Sequence, residues 1–133
     1  MMRNYLAVVD KDPESAFGLW FPDVPGCFSA ADEEADIMPN AVEALRLYAE
    51  DDTLPPPSPH ETIVACEDVR DSLARGAYLL SVPMIEADTA VVRANVTFER
   101  GMLRAIDEAA RRLGVTRSAF LASAARDKIE MRR

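Results

Sequence analysis

The sequence predicts an α+β fold in two parts: an N-terminal antiparallel sheet with a packed helix, then a C-terminal strand followed by two helices. Three observations carry that expectation. Short apolar, β-branched or aromatic runs recur before residue 31, separated by turn residues. Apolar residues take helical spacing over 37–48, and twice more between 103 and 129. The charge divides in the same place: residues 1–90 carry 18 acidic and 5 basic side chains, a net of −13, whereas 91–133 carry 5 acidic and 10 basic ones, a net of +5. An acidic module suits a basic protein partner and a basic one suits phosphates, a contrast that the overall charge of −8 conceals.

Tyr5–Val9 is the first expected strand and Phe17–Phe21 the second, joined by a hairpin connection over 10–15 that contains Lys11-Asp12-Pro13-Glu14. In Pro22-Asp23-Val24-Pro25-Gly26, Pro25 and Gly26 fit the central positions of a type II turn, whose second position needs a positive φ. Cys27–Ala30 then returns as the third strand of a meander. After the acidic stretch 32–36, Ile37, Ala41, Leu45 and Tyr48 share one helical face, with Asp36 as N-cap. Pro39 falls in the first turn, where its missing N–H has no intrahelical partner to lose. The helix should end near Asp51, because Pro55-Pro56-Pro57-Ser58-Pro59 favours an extended connector. Residues 61–75 read as a weak helix stopped by Gly76, and Ala77–Met84 as a fourth strand that Pro83 assigns to an edge or an end.

The C-terminal pattern is sharper. Arg93, Asn95 and Thr97 alternate with Ala94, Val96 and Phe98, as in a strand with one polar face. Leu103, Ile106, Ala110 and Leu113 form the stripe of a helix over Arg100–Leu113 that Gly114 ends. Thr116 is a suitable N-cap for a second helix, with Phe120, Leu121, Ala124, Ala125 and Ile129 facing inward. A lone strand has no ladder partner, and so small a segment buries too little apolar surface by itself. A two-fold homodimer sharing a two-stranded ribbon is the economical answer. The expected organisation is a domain over 1–83, a linker over 84–91 and a dimerisation module over 92–133.

The run Asn95-Val96-Thr97-Phe98, the helix to Leu113, and Gly114-Val115-Thr116-Arg117-Ser118 resemble the ribbon-helix-helix DNA-binding fold. A β-ribbon fits the major groove, where Asn95 can pair with adenine, Arg93 with guanine, and Thr97 with either partner type or a thymine methyl. The free N–H groups at the start of the second helix, with Thr116, Arg117 and Ser118, suit a backbone phosphate.

Phe21-Pro22-Asp23-Val24-Pro25-Gly26-Cys27, with Asn40, Glu43-Ala44-Leu45 and Tyr48, resembles the HicB antitoxin domain, a layer of sheet and helix similar to a partial ribonuclease-H-like or double-stranded-RNA-binding fold. One branch of that family carries the Thr116-Arg117-Ser118-Ala119-Phe120 half as well, so the resemblance spans nearly the entire chain. Ala31 and Asp36-Ile37 depart from its usual glycine and Glu-Ala. The resemblance implies an antitoxin that neutralises a small basic HicA-type mRNA-cleaving toxin, and that represses its own operon by binding operator DNA as a homodimer, with a higher oligomer left open. The other reading is a stand-alone ribbon-helix-helix regulator whose N-terminal domain senses a ligand.

Catalysis is not expected. Asp10, Asp12, Glu14 and Asp23 are the carboxylates a two-metal site would use, but they read as turn residues, with Asp23 stabilising the Pro-Asp-Val-Pro-Gly turn. His60 stands beside prolines, Cys27 reads as a small buried residue, Cys66 carries no signal, and no glycine-rich phosphate loop is present. Two cysteines and one histidine make neither a disulfide framework nor a four-ligand zinc site, so no metal or cofactor is expected. The 133 residues, 49% apolar and 29% charged, have a globular balance. Apolar runs such as Tyr5–Val9 are too short to span a bilayer, and only five apolar residues separate Arg3 from Asp10, so no membrane partner, no secretory signal and a cytoplasmic location are expected.

Overall fold

The computed structural model of the chain describes residues 2–14 and 16–131. They divide into two compact units, one ending at Glu86 and the other spanning Ala87–Met131.

In the first unit, β1 (Arg3–Lys11), β2 (Phe17–Trp20), β3 (Phe28–Ala31) and β4 (Tyr78–Met84) form one antiparallel sheet in the order β3-β2-β1-β4. The meander of the first three strands is as the sequence predicts, and β4 joins the free side of β1, with Tyr5 opposite Val82 and Val9 opposite Tyr78. Pro83 therefore lies in an edge strand, where its missing N–H costs no ladder bond on the outer side. β1 is central and covered on both faces. Tyr5, Ala7 and Val9 point toward α1 (Ile37–Asp51), packing with Leu19, Leu45 and Val82. Val8 points the other way, against Ile63 of α2 (His60–Ala65) and Val69 of α3 (Glu67–Ala74). Burial on both faces is why β1 reads as an unbroken apolar run rather than an alternating one.

The turns follow their chemistry. Gly26 has φ +87°, and the Cys27 N–H donates to the Val24 carbonyl at 3.0 Å, closing a type II turn with Pro25 and Gly26 in the centre. A 3₁₀ turn at Glu34–Asp36 leads into α1. Pro39 is the third residue of α1, as expected, but Asp36 makes no side-chain cap bond. The single weak helix expected over 61–75 is two helices, because Cys66 takes an extended conformation (φ −68°, ψ 132°) and serves as the end of one and the start of the next. The hairpin connection expected over 10–15 ends at Ser15, outside the described residues.

In the second unit, α4 (Arg100–Leu113) and α5 (Arg117–Ile129) pack as a helical hairpin. Residues 85–99 carry no regular structure, so the strand expected over 93–98 is absent from the single chain; among the described residues of this unit no second strand gives it a ladder. The face of α5 expected inward is largely exposed too: Phe120 and Leu121 are half-buried, while Ala124, Ala125 and Ile129 are open.

Candidate functional site

The helix-to-helix corner is built by two matched caps. Gly114 adopts the left-handed conformation (φ 70°), its N–H donates to the Arg111 carbonyl at 3.1 Å, and the Val115 N–H donates to the Ala110 carbonyl at 3.0 Å. These two bonds form a Schellman motif, which satisfies carbonyls that α4 would otherwise leave open. Thr116 then caps α5, its Oγ1 accepting from the Ala119 N–H at 3.1 Å.

Of the six residues expected to meet DNA, Thr116, Arg117 and Ser118 are brought together at this corner, all exposed. Arg93, Asn95 and Thr97 are also exposed but lie in the irregular segment before α4. Arg117 has a partner that the sequence reading missed. Its Nε and Nη2 donate to Oδ1 and Oδ2 of Asp107 on α4, both at 2.8 Å. The bidentate bond from Arg117 holds the Asp107 carboxyl below its ordinary range, aided by the charges of Arg117 and Arg111, and raises the guanidinium in turn. The available signal was opposite charges flanking a tight helix turn. Apolar side chains stay open at both ends of α4: Leu113 is 68% exposed and Val115 uncovered at the corner, and Val96 is 67% exposed, with Phe98 and Met102 also uncovered, at the other end.

In the first unit the acidic side chains do not converge on a metal. No group of three or more His, Cys, Asp or Glu among the described residues is placed to hold one. Asp10 belongs to β1 rather than to a turn, and its Oδ2 accepts from Trp20 Nε1 at 3.2 Å. Asp23, expected to stabilise its own turn, reaches across to the connector instead. Its Oδ2 accepts from the Ser58 N–H at 2.7 Å and its Oδ1 from the Ser58 hydroxyl at 2.6 Å, fastening the proline-rich connector to the Pro-Asp-Val-Pro-Gly loop. The Tyr5 hydroxyl adds a second tie, donating to the Pro55 carbonyl at 2.6 Å. Cys27 is buried, as expected, and burial pushes its thiol pKa up. His60 is exposed at the start of α2.

The uncovered part of this unit lies beyond α3. Along one sheet row, Val8 pairs with Trp20 and Trp20 with Phe28, so their side chains share a face. Val8 is fully buried there, whereas Phe28, on the edge strand, is 71% exposed. A groove of about 430 Å³ opens at this end, lined by Asp10, Trp20, Phe28, Asp68, Asp71 and Arg75 among others. No helix among the described residues is long and apolar enough to cross a membrane.

Set beside known proteins, residues 5–125 match the family model for the HicB-like antitoxin of bacterial toxin–antitoxin systems. An uncharacterized 14.9 kDa protein from the rep-hol intergenic region of Haemophilus phage HP1 is 30% identical over 92 residues, 65% of this chain and 67% of that protein. Among solved structures, the antitoxin HicB of Burkholderia pseudomallei is similar with a TM-score of 0.51 and 28% identity, over 98% of this chain and 99% of that one. A chain of the HicA3 and HicB3 toxin–antitoxin complex is similar with a TM-score of 0.51 and 29% identity, over 62% of this chain and 99% of that one.

Proposed function

The chain belongs to the HicB-like antitoxin family, and from that premise we propose that it binds and neutralises a HicA-type mRNA-cleaving toxin and represses its own operon through the C-terminal unit. The observation that carries the first half is the similarity to a chain of the HicA3 and HicB3 complex. The net charge of −13 on residues 1–90 supports it, because carboxylates complement a surface built to hold RNA.

The second half rests on the corner between α4 and α5 and on the open apolar residues before it. Two copies sharing a ribbon over 93–98 would cover Val96 and Phe98 while turning Arg93, Asn95 and Thr97 toward base edges. Thr116, Arg117 and Ser118 would then meet a backbone phosphate, with Arg117 shared between that phosphate and Asp107. On this reading the toxin-binding domain is 1–83, the linker 84–91 and the DNA-binding module 92–133.

The deciding experiment is co-expression with the short reading frame beside the gene, followed by a pull-down. A stable complex, and toxicity of the neighbour expressed alone, is the expected result. If no complex forms and the neighbour is harmless, the antitoxin reading fails.

A further inference from the structure

We propose that the uncovered sheet face at β2 and β3, beside α3, is where the protein partner docks, with Phe28 seated against its apolar side chains and Asp10, Asp68 and Asp71 taking its arginine or lysine side chains. This rests on the antitoxin reading above and adds the surface that performs it. A large aromatic residue that is 71% exposed, at the end of a row that starts at fully buried Val8 and passes through half-buried Trp20, is a misfit for an isolated sheet. The next row along, Asp10, Gly18 and Ala30, is low: a Cβ added at Gly18 would meet no atom within 4 Å. Asp10 of that row also lines the recess of about 430 Å³, which has Trp20 and Phe28 on its aromatic side and Asp68 and Asp71 of α3 on the other.

The charge selects the occupant. Three carboxylates face one guanidinium in the groove, and that one, Arg75, lies 3.4 Å from its own Ser72 hydroxyl. Aromatic faces next to carboxylates are suited to a cationic side chain, which gains both a charge partner and a ring contact. Nucleic acid is repelled by residues 1–90, whose net charge is −13, and so is a second copy of them. A basic protein surface is what remains.

The test is a calorimetric titration of the full chain with the proposed HicA-type toxin partner, using Phe28→Ser, Gly18→Arg and, on α1, Leu47→Ser. Phe28→Ser and Gly18→Arg should weaken binding roughly tenfold or more, the second by setting the chain's own cation beside Asp10, its cross-strand partner. Leu47→Ser should bind as the wild type does. Gly18 has no positive φ and open space above it, so Gly18→Arg keeps the test intact even if Phe28→Ser fails to fold. Wild-type affinity in both groove variants overturns the docking face while leaving the antitoxin reading standing. A wild-type chain that does not bind the toxin overturns both. Loss of self-association in the groove variants, with toxin binding unchanged, also overturns it.

Discussion

At the scale of single residues, the bond between Arg117 and Asp107 is the most informative, because it links the two helices and engages a side chain proposed to meet phosphate. The lowered Asp107 carboxyl contributes above the ordinary value of 3.8, and its contribution fades as the pH falls below that value and through the lowered one. NMR titration of the Asp107 carboxyl should give a midpoint under 3.8 that returns toward it in Arg117→Ala. Asn95→Ala should cost about 1–3 kcal/mol on operator DNA and relax sequence preference, whereas Arg117→Ala should weaken binding to all sequences and flatten its salt dependence. Equal losses on operator and random DNA for Asn95→Ala would remove the base-reading role. The cysteines offer a simple check: iodoacetamide at mildly alkaline pH should label exposed Cys66 quickly, and buried Cys27 only after unfolding.

Elements show where sequence reasoning works and where it stops. β1, α1, α4 and the two caps around Gly114 were legible, because each rests on local chemistry: a run of apolar residues, a 3.6-residue stripe, a glycine at positive φ and a threonine cap. The division of 61–75 at Cys66 was not legible, since that residue carries no turn signal, and the two helices it separates share a core contact, Ile63 and Val69 on Val8, that local sequence does not encode. Asp23 was seen as a turn residue, but its partner Ser58 lies 35 positions away, a distance that no local pattern encodes. Nor did the sequence reveal that Phe28 faces outward, because that depends on where α3 ends relative to the sheet edge. Leu45→Ala, in the core between α1 and the sheet, should lower stability by about 2–5 kcal/mol in chemical denaturation. Gly114→Ala should cost about 1–2 kcal/mol, because alanine resists the left-handed conformation that closes α4.

The whole molecule joins an acidic α+β unit to a basic helical hairpin, and each leaves a different kind of surface open. The hairpin exposes apolar residues that suit a second copy; sedimentation of the full chain should therefore show a dimer, and Phe98→Asp should shift it toward monomer. The acidic unit exposes an aromatic and carboxylate groove that suits a basic partner. Titrating the chain into an RNA-cleavage reaction run by the proposed HicA-type toxin tests the central claim most directly. Cleavage should fall linearly to nothing at a fixed ratio of the two proteins. Undiminished cleavage in the presence of excess chain would contradict the account.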